Sequence, residues 1–168
     1  MQVVYLGLGS NMGDRADYLF RAISSLGRII AELRCSSVYE TEPRDMVEQP
    51  KFLNMVVSGT TELSPEQLLA ELHSIESACG RDRLAELPKG PRTMDIDLLL
   101  YGDLLRRNSA PILPHPRMHE RQFVLLPLCE LEPELREPES GASYQSILDS
   151  LPDQGVYATP PARYNVWP

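Results

Sequence analysis

Asp95 and Asp97 carry the clearest chemical potential in this chain. They sit two apart in Gly90-Pro-Arg-Thr-Met-Asp-Ile-Asp-Leu-Leu-Leu-Tyr-Gly102, a Gly-Pro turn and a cationic Arg92 followed by a run of strand character. On a strand both acids project from one face, ~7 Å apart, while Ile96, Leu98 and Leu100 project from the other. Two such carboxylates repel, and oxygen-only ligands suit a hard cation such as Mg²⁺. The plainer alternative is a strand end whose acids meet water or pair with Arg92. Cations crowd the pair on both sides in sequence: Arg81, Arg83 and Arg92 before it, His115, Arg117, His119 and Arg121 after it. Around a dicarboxylate in an acidic chain, that cluster suggests a metal–polyphosphate complex.

The elements that must position these groups can be read in order. Val3 to Leu8 is a buried strand, and Gly7-Leu-Gly9-Ser-Asn-Met-Gly13-Asp after it reads as a tight turn into a helix. Its glycines are misspaced for a dinucleotide loop, and strand–helix units do not repeat. The helix spans about Asp14 to Leu26, with Ala16, Leu19, Phe20, Ile23 and Leu26 on one face and Gly27 as its stop. Ile29 to Tyr39 reads as one long strand and residues 40 to 51 as a polar loop. Phe52 to Thr60 is the next strand, with Leu53, Met55 and Val57 on one face and Phe52 and Asn54 on the other. Ser64-Pro65-Glu66-Gln67 supplies an N-cap, a first-turn proline and a capping-box partner. The helix that follows turns Leu68, Leu69, Leu72, Ile75 and Cys79 inward, leaves His73 and Glu76 at its flanks, and ends at Gly80.

Strand, helix, strand, strand, helix, strand is the order of a ferredoxin-like α+β fold, an antiparallel sheet with both helices on one face. The other face is then free, and Phe52, Asn54, Asp95 and Asp97 fall on it together. C-terminal additions follow: Leu113-Pro-His-Pro116, a helical run from about Glu120 to Leu131 and a short helix near Tyr144 to Leu151. Residues 1–151 are expected as a single catalytic domain and 152–168 as a Pro-rich extended tail.

At 168 residues the chain is expected to be one domain, with 42% hydrophobic and 24% charged residues. A net charge of -8 argues against nucleic acid or an anionic membrane as the main partner, so an anionic substrate needs local cations or metal. No apolar run reaches the length of a membrane span, and the start lacks the basic region of a signal peptide, so a cytoplasmic location is expected. Cys35, Cys79 and Cys129 are odd in number and far apart, which fits free thiols and not a disulfide framework or a zinc site.

Several stretches together resemble one family, 6-hydroxymethyl-7,8-dihydropterin pyrophosphokinase of folate biosynthesis. They are Leu8–Asp14, Val38–Thr41, Gln49–Asn54, Ile75-Glu76 through Arg83, Gly90–Asp97, Pro114-His115 and Arg121–Pro127, in family order over residues 1 to ~135. The resemblance implies transfer of pyrophosphate from ATP to the hydroxymethyl group of the reduced pterin, giving AMP. It implies that Asp95 and Asp97 hold two Mg²⁺ ions bridging ATP, with Arg83 and Arg92 as catalytic cations beside them. Phe52 and Phe123 match two rings that sandwich the pterin, Asn54 matches the group that reads its amide edge, and Thr41 joins them as a substrate contact. Arg81, Arg83, Arg92, His115 and Arg121 match the nucleotide's phosphate-holding groups, and Glu76 lies at a position lining the nucleotide site. No strong base is needed where positioning and charge neutralisation carry the transfer; Asp97 is the proton acceptor available at the metal pair. ATP and a reduced pterin are thus the expected partners of a monomer that binds neither nucleic acid nor membrane.

The chain departs from the family's pattern at Lys89, usually tryptophan, at Ala110, usually arginine, at Ile112, usually a hydroxyl residue, and at Pro116, usually aromatic. Arg106, Arg107 or Arg117 are candidates to replace the missing cation. Two other readings follow from the same residues. One is a pterin- and nucleotide-binding paralogue with weak or lost turnover, favoured by Lys89 and Ala110. The other is a two-metal nucleotidyl transferase, since such enzymes also place paired acids on ferredoxin-like sheets.

Overall fold

The computed structural model describes residues 1–42, 49–82 and 90–159. Its centre is β1 (Gln2–Ser10), flanked by β4 (Phe52–Thr61) and β5 (Asp95–Tyr101), both antiparallel to it. β2 (Ala31–Cys35) and β3 (Tyr39–Thr41) pair with successive parts of β4, and β6 (Val156–Ala158) adds to β3, giving the order β5-β1-β4-β3-β6. The first five of these strands, with α1 (Arg15–Leu26) and α2 (Pro65–Ala78), form the expected ferredoxin-like core.

Local sequence explains the helix ends. The Asp14 side chain accepts from the Asp17 N–H at the start of α1, and Ser64 and Gln67 form a reciprocal capping box on α2. Gly80, at φ +84, turns the chain out of α2 in the left-handed region that glycine enters without strain. Gly27 also caps α1, but in right-handed backbone.

Two apolar layers flank the sheet. Leu6, Leu8, Leu53, Met55, Val57, Ile96 and Leu98 meet Leu19, Ile23 and Leu26 of α1 and Leu68, Leu72 and Ile75 of α2. On the opposite face Tyr5, Val56, Leu99 and Leu100 meet Leu125 and Leu128 of α3 (Gln122–Leu131) and Tyr144 and Leu148 of α4 (Tyr144–Ser150). That face is therefore not free along its whole length: α3 and α4 cover one part and leave a trough over the rest.

Four local expectations are corrected. The strand expected over Ile29–Tyr39 is two, because Ser36 breaks it: its N–H donates to Val56 O at 2.9 Å, and its Oγ accepts from Val56 N–H at 3.0 Å. Leu100 does not share a face with Ile96 and Leu98, because an irregularity opposite Tyr5 and Leu6 skips Leu99 and moves Leu100 into the second layer. In α1 the inward position is Ala22, while Phe20 is exposed; in α2 Leu69 is only half-buried. Gly7 and Gly9 lie inside β1 and form no turn; the turn begins later, with Gly13 at φ +59.

The expected tail takes a definite form where it is described, since β6 falls within it. Cys35, Cys79 and Cys129 are free thiols. Among the described residues no helix is long and apolar enough to cross a membrane.

Candidate active site

The trough encloses a cavity of about 720 Å³. Its floor follows from β1. Gly7 stands between Asp97 and Val56, and Gly9 between Asp95 and Asn54, so the central strand presents no side chain towards the opening. A Cβ on Gly9 would lie 2.9 Å from Asn54 Oδ1. The glycines thus leave a groove two strand spacings wide, roughly 10 Å, between a carboxylate pair and an amide.

On the β4 side, Asn54 is buried and its Nδ2 donates to Thr41 Oγ1 at 2.8 Å. This bond fixes the amide's orientation beside Phe52, and all three residues line the cavity. Phe123, near the start of α3, lines it from the other side while packing partly against the second apolar layer.

The β5 side is ionic. Arg92 Nη1 is 2.8 Å from Asp95 Oδ2, while Arg81 Nη1 donates to Asp95 Oδ1 and, at 2.6 Å, to Glu76 Oε1. Arg81 is 6% exposed and Glu76 1%, so the pair is a buried one supporting the Asp-Ile-Asp strand. Glu76 Oε1 also accepts from the Ile96 N–H at 2.8 Å, which ties the backbone between the two aspartates to α2. Glu76 is neither a solvated helix flank nor part of the cavity wall: it lies beneath the wall, under Arg81.

Asp97 is held more loosely. Among the described residues the basic groups nearest to it are Arg121 Nη1 at 3.6 Å and His115 Nε2 at 3.9 Å. Burial and the Asp95 carboxylate push its pKa up to about 6, against the pull of Arg121. Burial and Arg121 push His115 down to about 4, so near neutrality the imidazole is uncharged and its approach to Asp97 is not an ion pair. Arg121 also lies over the Phe123 ring, 5.5 Å from its centroid, which joins the ionic and aromatic parts of the site.

Of the residues expected from sequence, Thr41, Phe52, Asn54, Arg81, Arg92, Asp95, Asp97, His115, Arg121 and Phe123 all line this one cavity. Arg83 and Lys89 lie outside the described residues. Of the three replacement cations, Arg117 lines the cavity; Arg106 pairs with Glu66 and Arg107 with Glu139, both away from it. Pro116 also lines it.

Sequence reasoning gave no role to Asn11, which is buried at the root of both sides. Its Oδ1 accepts from Arg92 N–H at 2.8 Å, and its Nδ2 donates to Gln49 Oε1 at 3.0 Å and Pro50 O at 3.2 Å. Its place just after Gly9-Ser10 was the available signal, because a buried asparagine at a strand end needs partners across the chain.

Residues 5–133 match the family model for 7,8-dihydro-6-hydroxymethylpterin-pyrophosphokinase (HPPK). The chain belongs to the HPPK family. It is 44% identical over 131 residues to a 2-amino-4-hydroxy-6-hydroxymethyldihydropteridine pyrophosphokinase of Bacillus subtilis, covering 77% of each chain. It is 38% identical over 164 residues to the folic acid synthesis protein fol1 of Pneumocystis carinii, covering 97% of this chain and 22% of that one. The HPPK chain here thus spans about a fifth of the fungal protein's length. Its fold matches a Plasmodium falciparum HPPK-DHPS structure with a TM-score of 0.66 at 14% identity, over 89% of this chain and 43% of the other.

Proposed function

We propose that this chain transfers the β,γ-pyrophosphoryl group of ATP to the hydroxymethyl oxygen of 6-hydroxymethyl-7,8-dihydropterin. The hydroxymethyl oxygen bonds to the β-phosphorus and loses its proton, the bond from the β-phosphorus to the α,β-bridging oxygen breaks, and AMP leaves with that oxygen. The observation that carries this reading is that one cavity is lined by a carboxylate pair with cations around it, by an oriented amide and by two aromatic rings.

The donor set fits Mg²⁺. Asp95 and Asp97 offer only oxygen, and the raised pKa of Asp97 marks a carboxylate that a divalent cation would relieve. Among the described residues no group of three His, Cys, Asp or Glu side chains forms a cage, so the remaining ligands would come from water and phosphate, as Mg²⁺ prefers. When bound, Mg²⁺ supplies charge neutralisation across the phosphates. The protein's own residues do the rest. Arg92, Arg121 and Arg81 set positive charge around the phosphates, and neutral His115 can donate or accept a hydrogen bond without adding charge. Phe52 and Phe123 take the faces of the pterin, and Asn54, held by Thr41, meets its amide edge. Arg83 belongs to the same cationic set by its sequence position. The two substrates then meet over the glycine floor, and their alignment is the main source of rate.

The test is incubation with ATP, Mg²⁺ and the reduced hydroxymethylpterin, with the adenine nucleotides resolved. AMP formed in equal amount to a diphosphorylated pterin is expected. ADP would make the chain an ordinary kinase. Pterin binding with no AMP would make it a binding paralogue.

A further inference from the structure

The segment after Pro152 lies beyond the residues matched by the HPPK family model, 5–133. We propose that residues 153–159 are a strap that positions one wall of the cleft against the other, with Gln154 as the positioning residue for Arg121 and Phe123. This rests on the reading of the cleft as the pterin and ATP site.

Helix α3 begins without a side-chain cap of its own: Arg121 occupies the N-cap position and makes no side-chain capping bond. The first N–H groups of a helix need an acceptor from elsewhere. Gln154 provides one. The Gln122 N–H donates to Gln154 Oε1 at 2.9 Å, and the Gln154 N–H donates to Gln122 Oε1 at 2.9 Å. Gln154 Nε2 also donates to Glu120 O at 3.0 Å. One side chain therefore grips the backbone on both sides of Arg121, whose guanidinium faces Asp97, and immediately before Phe123.

From there the chain turns at Gly155, in the left-handed region at φ +66, and becomes β6. Val156 pairs with Thr41 and Ala158 with Tyr39, while the Thr159 N–H and Oγ1 both donate to Val38 O, at 2.9 and 2.8 Å. Thr41 is the residue that orients the Asn54 amide. The strap's two anchor points are thus adjacent to cavity-lining groups on opposite walls; the far end of α3 is joined to the same wall by Glu130, which accepts from the Ser37 N–H and the Tyr39 hydroxyl, both at 2.9 Å, while the strap acts at the end that carries Arg121 and Phe123. Site geometry must hold to within about half an ångström to be productive, so hydrogen bonds of modest net strength suffice to matter here.

The test uses the full chain and two variants, Gln154→Leu and Gln154→Glu. Leucine removes all side-chain bonds, whereas glutamate keeps the acceptor for the Gln122 N–H. Two quantities are measured: amide hydrogen exchange at Gln122, without ligand, and pterin affinity by calorimetry in the presence of a non-hydrolysable ATP analogue. Gln154→Leu is expected to speed Gln122 exchange by about tenfold and to weaken pterin by ~2–10-fold, with little change in Tm. Gln154→Glu is expected to bring Gln122 exchange back to within about twofold of the parent chain and to recover pterin affinity only in part, because the donor to Glu120 O is lost. Unchanged exchange and affinity in Gln154→Leu would overturn the proposal. So would losses that only follow a fall in Tm and are not rescued by glutamate. If the parent chain itself binds no pterin, the functional reading fails, while the exchange result still decides whether Gln154 holds the start of α3.

Discussion

The two faces of β1 show how one sheet can be a core and a workplace. Leu6 and Leu8 point into a closed apolar layer under α1 and α2, built of aliphatic, methionine and cysteine side chains, and both helices are capped by side chains at their starts. Gly7 and Gly9 point the other way, into a trough whose walls carry charge, amide and aromatic ring. Stability comes from volume on the first face and function from vacated volume on the second. The faces communicate at Glu76, a carboxylate of α2 that reaches the edge of the sheet to hold Arg81 and the Ile96 backbone. A buried charge there is held by its partners on the site side, so the two faces are not independent.

The comparison is broken most sharply by one substitution on each face. Asp97→Ala is expected to cut turnover by ~10²–10³-fold or more while leaving Tm within a few degrees, because it removes charge organisation and relieves repulsion with Asp95. Leu6→Ala should do the reverse, lowering stability by ~2–5 kcal/mol and retaining activity below its melting range. Paired thermal melts and initial rates decide it, and a large Tm loss in Asp97→Ala would mark that residue as structural.

Glu76→Ala tests the link between the faces. It removes the buried carboxylate of the Arg81 pair, leaving Arg81 with Asp95, and takes the side-chain acceptor from the Ile96 N–H, so a loss of ~3–5 kcal/mol by denaturant titration is expected, accompanied by weaker nucleotide binding. Loss of stability without any change in nucleotide affinity would make Glu76 a core residue alone.

Gly9→Ala fills the floor. The added Cβ would press on Asn54 Oδ1, so pterin affinity should fall by ~1–3 kcal/mol while ATP affinity changes less. Calorimetry with each ligand separately distinguishes this from a general loosening of the strand, in which both affinities fall alike.

The smallest expected effect is on pH dependence in metal-free protein. The Asp97 pKa is raised from 3.8 to about 6, so its contribution to stability is complete below 3.8 and is lost as pH rises through about 6. His115 is lowered from 6.5 to about 4, so its contribution is present above 6.5 and is lost as pH falls through about 4. The two oppose each other over the same window. Relative to the parent chain, Asp97→Asn should therefore gain Tm as pH rises from about 4 to 6, and His115→Gln should gain Tm as pH falls from about 6.5 to 4. Parallel slopes for the two variants would contradict these assignments.

Much of this was legible in the residues. The strand and helix order, the capping box of α2 and the cluster of Phe52, Asn54, Asp95 and Asp97 on one face follow from periodicity and capping chemistry. What escaped depends on relations between elements. The slip at Leu99 needs the neighbouring strand to be seen, and the break at Ser36 needs Val56. Gly7 and Gly9 have the same composition in a turn or a strand; pairing on both sides decides. Glu76 reads from the helix alone as a flank residue, because the helix gives no hint that Arg81 and a strand N–H lie opposite it. Asn11 and Gln154 are polar residues whose partners are tens of residues away.

In the proposed reaction the open face joins a pterin to the two outer phosphates of ATP in one step. ATP labelled at its β-phosphorus tests this directly, with the wild-type chain, Mg²⁺ and the reduced hydroxymethylpterin in a single turnover. The label is expected in the pterin product together with the γ-phosphoryl group, and the released nucleotide is expected to be unlabelled AMP. Label left in ADP, or released as free pyrophosphate, would contradict it.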